Sequence, residues 1–293
     1  MPLLPFDPAL LFAVQSLANP VFDFVFFILT ELGNPVLWIA IAAFLYWKGE
    51  EGKGFFVMNF VLFAAAIVSV LKNVLAIPRP DPEKFRVLEN GFFSKFSDIY
   101  SFPSGHAAMI SSAFFYFENF VKKKWKWLLG IAVLIVLFSR MYLGAHFFSD
   151  VIAGLLIGVA VGKGNFLLKK RYEKIKVYLT SARDEMISIL ILLAALMAFA
   201  FFEPPILSLL LFGFYSGFFL FKGMGFDSKK LKGKELIVKE AVGFAVIFLL
   251  LAPYAFGFPG NPLLFAGMFF TAGFWISFLL PYFTKYPSSA DLG

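Results

Sequence analysis

Hydrophobic residues in this chain come in long unbroken runs, without the three-and-four spacing of a helix wetted on one side. The runs are about 15 to 22 residues long, separated by short connections rich in Lys, Pro and Gly. A helix needs roughly 20 apolar residues to cross a bilayer, so these runs read as membrane helices. Nine stretches qualify: residues 20–47, with a kink at Gly33-Asn34-Pro35, then 54–74, 103–121, 127–142, 146–161, 186–202, 204–221, 237–255 and 262–283. The predicted class is all-α, a polytopic transmembrane helical bundle of about nine spans. Residues 5–18 are amphipathic at most and read as a segment lying along the interface.

One run has to contain a reversal that hydropathy alone does not show. As a single helix, residues 127–161 would extend about 52 Å at 1.5 Å per residue, against a hydrocarbon core of about 30 Å. The chain must turn inside it, and Gly144 is where the backbone is free to do so. The stretch around that glycine, "SRMYLGAHFFSD" at 139–150, places an arginine, a histidine and an aspartate inside otherwise lipid-like sequence.

Composition supports the membrane reading. The 293 residues are 60% hydrophobic and 15% charged, with 43 phenylalanines, which leaves no room for a large water-soluble domain. The absence of cysteine removes disulfides, thiolate metal sites and cysteine nucleophiles while leaving the compartment open. The opening "MPLLPFDPALLFAVQSLANP" has no basic leader and three early prolines, so it does not read as a cleaved signal peptide.

Charge orients the spans. If the nine stretches alternate, all but six of the 26 Lys and Arg fall on one side, in the loops at 48–53, 122–126, 163–183 and 222–239 and at Lys285. The positive-inside rule makes that side cytoplasmic, with the N-terminus outside and the C-terminus inside. The net charge of +7 is then a topology signal, and no nucleic-acid partner is expected. The remaining six, Lys72, Lys84, Arg86, Lys95, Arg79 and Arg140, fall on the extracytoplasmic side, where topology gives no reason for them.

Three clusters on that side carry chemistry. Lys72 and Arg79 stand seven residues apart at the end of the 54–74 span, two turns that would bring both cations to one side, with Pro78 and Pro80 stopping the helix. Alone, the pair reads as a snorkelling lysine beside an interfacial arginine, common at span ends. "PSGH" at 103–106 places Pro103 in a first helical turn, followed by amides at Ser104, Gly105 and His106 without intrahelical partners, an arrangement that attracts anions and also serves as an ordinary cap. Ser139, Arg140, His146 and Asp150 form the third cluster. The last two are one turn apart, so the carboxylate can fix the imidazole tautomer, or simply form an intramembrane ion pair. Both histidines of the chain lie in these clusters, and no carboxylate or histidine set suggests a metal.

Taken together, "KNVLAIPRP" from Lys72, "PSGH" at 103–106 and "SRMYLGAHFFSD" at 139–150 resemble the three signature motifs of the type 2 phosphatidic acid phosphatase family, KxxxxxxRP, PSGH and SRxxxxxHxxxD. The match has no departure at a defined position and covers roughly residues 55–165. The resemblance implies a metal-independent, cofactor-free phosphatase sharing its site with vanadium haloperoxidases. It assigns Lys72, Arg79, Arg140, Ser104 and Gly105 to phosphate binding. His146 becomes the nucleophile forming a phosphohistidine, Asp150 its orienting partner, and His106 the acid and then base. Ser139 and Pro103 become supporting residues around the site.

A site at span ends, among apolar helices, is reached most readily by a molecule whose tail stays in lipid, so a lipid phosphate or diphosphate in the outer leaflet is expected. Polyisoprenyl diphosphate, phosphatidylglycerophosphate, phosphatidic acid, sphingoid-base phosphates and lipid A phosphates all fit. A phosphotransferase using the same intermediate and a headgroup-binding transporter remain alternatives. Residues 78–102 are long for a connection and read as a lid or headgroup-selecting loop, or as plain solvated loop. The expected organisation is a phosphatase core at 1–162, a basic cytoplasmic connector at 163–185 and a four-span extension at 186–293. That extension has uncharged span interiors and serves as scaffold, homodimer surface or lipid-entry wall.

Overall fold

The computed structural model describes residues 4, 7–88, 99–178, 205–258 and 260–287. Among these the chain is helical apart from one short antiparallel ribbon. In order it runs through α1 (Asp7–Gln15), α2 (Pro20–Leu29) with a 3-10 turn at Thr30–Gly33, α3 (Pro35–Trp47), α4 (Glu51–Leu75), α5 (Gly105–Phe117), α6 (Lys123–Tyr142) and α7 (Phe148–Tyr178). It continues through α8 (Pro205–Gly223), β1 (Phe226–Ser228), α9 (Gly233–Ala255), α10 (Pro262–Phe274, continuing through a π turn to Tyr282) and β2 (Lys285–Pro287). Pairing places Phe226, Asp227 and Ser228 opposite Pro287, Tyr286 and Lys285.

Three helices begin with the same dipeptide. Asn19-Pro20, Asn34-Pro35 and Asn261-Pro262 each set an asparagine just outside the helix, where its carbonyl oxygen accepts first-turn amides: Val21 and Phe22 at 3.1 and 3.0 Å, Val36 at 2.9 Å and Leu263 at 2.8 Å. Proline at the first position lacks the N–H that would go unsatisfied there. This corrects the expectation for 20–47: Asn34-Pro35 starts a new helix, so the stretch is broken instead of kinked.

Among the described residues five helices are long and apolar enough to cross a membrane, Glu51–Leu75, Lys123–Tyr142, Phe148–Arg171, Gly233–Ala255 and Pro262–Tyr282. The segment Asp7–Gln15 plus Pro20–Gly33, bent by 117°, gives a sixth if it counts as one broken span. Among the described residues that makes five or six elements of membrane-crossing length, beside the shorter apolar helices Pro35–Trp47 and Leu207–Gly223. The 103–121 stretch contracts to the 13 residues of α5, about 20 Å, shorter than the hydrocarbon core. The predicted 186–202 span lies outside the described residues.

The chain divides into two units, Met1–Leu37 with Asn59–Ile191, and Trp38–Met58 with Leu192–Gly293. In the first, α5 is buried on nearly every side from Ala107 to Ala113. Its closest neighbour is α7, and the reason is a glycine every fourth residue: a Cβ on Gly154, Gly158 or Gly162 would fall 2.4, 2.3 or 2.5 Å from Ser104 O, Ser111 Cβ or Ser112 O. Small residues in that register let two helix backbones touch, which is how packing is achieved where lipid removes the hydrophobic drive.

The second unit packs α3, α8, α9 and α10. The Trp47 indole donates to Ile276 O at 2.9 Å and the Ser277 hydroxyl to Phe214 O at 2.7 Å. Several of its charges are paired: Glu51 and Asp227 both pair with Lys222, and Glu50 lies between Lys48 and Lys53.

Candidate active site

All three sequence clusters lie in the first unit, and the structure brings them together. α4 ends at Leu75, three residues before the prolines, because Ala76 adopts a left-handed conformation with φ 48°. Arg79 is therefore not two turns along a helix from Lys72, as its spacing implies. It sits on an extended strap whose Pro78 bridges Tyr100. The strap delivers it nonetheless: Arg79 Nη1 donates to Ala145 O at 3.0 Å, and the buried Lys72 donates Nζ to Tyr100 O at 2.8 Å. Arg140, at the end of α6, donates Nη1 to the Thr30 hydroxyl at 3.0 Å, while its Nε is buried with no hydrogen-bond partner among the described residues. The three cations lie close enough to act electrostatically on both imidazoles.

Pro103 and Ser104 precede α5 instead of opening it. Ser104 is the cap residue, its side chain makes no cap bond, and its amide donates to Asp150 O at 2.9 Å. The Ser104 N–H is thus already used, which corrects the expectation of three open amides; the next two, at Gly105 and His106, stand in the first turn, beyond reach of an intrahelical carbonyl. The Ser104 hydroxyl is buried with no partner among the described residues. A Cβ added at Gly105 would meet nothing nearer than 3.7 Å, so protein packing does not demand glycine there. His106 is backed by Gly33, where a Cβ would lie 2.8 Å from the His106 Cβ. Ser139 turns its hydroxyl into its own helix, donating to Val136 O at 2.7 Å.

The reversal falls at Gly144, with φ 72°. Glycine is required there twice over: the left-handed conformation disfavours a side chain, and a Cβ would lie 2.1 Å from Arg86 O. The amides of Ala145 and His146 return to Arg140 O at 3.1 and 3.3 Å, so one turn fixes arginine and histidine together.

His146, in the turn outside the helices, is buried with Nδ1 3.5 Å from Asp150 Oδ2. That oxygen also accepts from the Phe147 amide at 2.8 Å and, at very short range, from the Ser101 hydroxyl, whose Oγ lies 3.4 Å from His146 Nδ1. Burial first, then the fields of Arg79, Arg140 and Lys72, hold the His146 imidazole well below its ordinary pKa, so it is neutral near pH 7. Nδ1 faces the aspartate and serine, which leaves Nε2 as the nitrogen with a usable lone pair. Asp150 is in turn framed by α1: Asp7, fully buried, accepts from the Ser149 amide at 3.0 Å and hydroxyl at 2.6 Å.

Ser101 and Asp7 are the residues that sequence reasoning missed. Neither belongs to a repeated pattern, and each meets its partner across a gap of 49 or 142 positions. The strap at 78–88 is anchored rather than loose. Gln15 exchanges two hydrogen bonds with the Arg86 backbone, the Arg86 guanidinium pairs with Asp23, and the Leu88 amide donates to Leu143 O at 2.9 Å. The part of that loop at 89–98 lies outside the described residues.

These features define an integral membrane protein with a cationic site built around two histidines. The sequence model described as "PAP2 superfamily" matches residues 54–174, the stretch that carries all three clusters. Among its relatives, the lipid A 4'-phosphatase of Porphyromonas gingivalis is 28% identical over 52% of this chain and 68% of its own. The undecaprenyl-diphosphatase of Sulfolobus acidocaldarius is 34% identical over 44% of this chain and 62% of its own. Among solved structures, a PAP2-type phosphatidylglycerolphosphate phosphatase from Bacillus subtilis superposes with a TM-score of 0.47 at 25% identity, covering 59% of this chain and 87% of that one.

Proposed function

We propose that the protein is a membrane lipid phosphatase that acts through a phosphohistidine at His146, at the extracytoplasmic face. The observation that carries this reading is the convergence of Lys72, Arg79 and Arg140 on a buried imidazole whose Nδ1 side is occupied by Asp150 and Ser101.

The phosphoryl group sits among the three cations, the Ser104 hydroxyl and the Gly105 amide. Positive charge held in a water-poor site stabilises the dispersed charge of the transition state, the task that magnesium performs in kinases. His146 Nε2 attacks phosphorus, the bond from phosphorus to the lipid alkoxide or leaving phosphate breaks, and His106 gives its proton to that oxygen. A water then loses a proton to His106 as it attacks the phosphohistidine, the P–N bond breaks, and inorganic phosphate leaves. Asp150 stabilises the Nδ1–H of His146 as charge develops on the ring. Ser101 donates to the same carboxylate oxygen and fixes its position. Release needs no metal.

Relatives named for lipid A and for undecaprenyl diphosphate make those two lipids the first substrates to assay. The test is phosphate release in detergent with EDTA present. Wild type releases phosphate from at least one lipid and His146→Ala from none; full activity in the variant would sink the covalent route. Product analysis separates transfer to a second lipid from hydrolysis. Facing is checked by placing single cysteines at Lys84 and Lys232 of this cysteine-free chain and labelling intact cells with an impermeant thiol reagent. Position 84 reacts and position 232 does not; the reverse result overturns the assignment.

A further inference from the structure

Among the charges of the second unit that lie outside the ion pairs described above, one lysine is buried. Lys239 lies in the second turn of α9, ahead of its uninterrupted apolar stretch and beside Glu240, about 9 Å along the helix from Gly233, and is only 6% exposed. Its ammonium donates to the neutral Thr284 hydroxyl at 2.7 Å, and no carboxylate lies within ion-pair distance of it among the described residues; Glu240 and Glu51 act on it only from farther off. A buried ammonium without a counter-charge is costly unless an anion completes it.

Lys239 also lines a cavity of about 820 Å³ with an unusual wall. Lys229, Lys234 and Lys285 stand around it, with Glu235 the single acidic residue, 4.0 Å from Lys229. The other side is apolar and aromatic, formed by Val238, Val242, Trp275 and Phe283. The cavity opens along α9, the least buried of the five spans, whose Val238 and Val242 are 61% and 45% exposed. Cations at the polar end and an apolar slope leading into the membrane match a molecule with an anionic head and hydrocarbon tails.

We propose that this cavity binds an anionic phospholipid, its headgroup phosphate on Lys239 and Lys234 and its chains along Val238 and Val242. The positive-inside rule assigns the lipid to the cytoplasmic leaflet, and the site is separate from the one that holds His146. The lysines of an ordinary cytoplasmic loop would attract the same lipids diffusely. A buried lysine in the wall of the cavity makes the interaction local.

Trp275 provides a local probe. In vesicles, the fluorescence lost in W275F, taken as the difference from the parent protein, is titrated with phosphatidylglycerol or phosphatidylcholine brominated along the acyl chains. Preferential quenching by brominated phosphatidylglycerol is expected, falling about fivefold for each lysine removed, in K234Q and in K239M, where the apolar replacement keeps the packing. K234Q is exposed and tests the idea even if K239M fails to fold. Equal quenching by both lipids, or a preference that survives K234Q together with every folded variant at Lys239, overturns the proposal. Loss of the preference on adding millimolar inorganic phosphate at constant ionic strength assigns the cavity to a free anion and overturns the lipid.

Discussion

The buried clusters of the two units handle charge differently. In the second, acid meets base: Glu51 and Asp227 on Lys222, Glu50 between two lysines, with the Glu50 carboxyl held below its usual range by Lys53. In the first, Arg86 on the strap pairs with Asp23, while Lys72, Arg79 and Arg140 are gathered with the same sign around two imidazoles. Like charges repel, and holding three together at a membrane depth is unfavourable unless a polyanion binds there. Neutralised charge therefore marks scaffold, and concentrated charge of one sign marks a site. By the same criterion, Lys239 is the exception that makes its surroundings a site.

The sharpest way to break this contrast is His146→Ala, expected to lower turnover at least a thousandfold with the protein still folded. Arg140→Ala removes one of the gathered cations and should cost about a hundredfold in kcat/KM for a lipid phosphate. Asp150→Asn and Ser101→Ala act on one carboxylate oxygen and its hydrogen bonds. Each should lower kcat about 10- to 100-fold, and the double variant should lose less than the product of the two, as coupled neighbours do. Full additivity would mean that Ser101 does not act through Asp150.

The pH profile adds a direction. Hydrolysis needs His146 neutral, and its pKa is depressed, so the acid limb of kcat/KM should fall below the ordinary imidazole value of about 6.5. Loss of the His106 proton sets the alkaline limb, and burial with the fields of Arg140, Arg79 and Lys72 shifts that limb to lower pH as well, so both sides of the bell move in the acid direction. At the small end lies Lys222→Met in the second unit. Breaking its partly exposed pairs should lower thermal stability by about 1 kcal/mol and leave phosphate release within about twofold.

Much of the site was legible because its chemistry is local. His146 and Asp150 are four apart, Arg140 precedes His146 by six, and a run too long for one span with a glycine inside it puts the reversal at Gly144. What was illegible depends on distance or on backbone. Ser101 is a common residue whose partner lies 49 positions away, and Asp7 looked like part of an interfacial segment while it is buried on Ser149. Arg79 reached the site by a strap and not by the helical register read for it, since nothing in "LKNVLAIPRP" announces a left-handed Ala76. Gly154, Gly158 and Gly162 were visible in the sequence, but a span of lipid-facing residues and a span pressed against a neighbour share the same hydropathy. Asn-Pro at 34–35 was visible too, and its recurrence at 19–20 and 261–262 marks it as a start of a helix instead of a kink.

The central claim is a phosphoryl group carried on His146 Nε2. Rapid mixing with a lipid substrate labelled on its phosphate, followed by an alkaline quench that preserves phosphohistidine, should trap the label on the peptide containing His146. His146→Ala should abolish that label, and Asp150→Asn should slow its appearance. Label on another residue, or phosphate release by His146→Ala at the wild-type rate, would contradict the account.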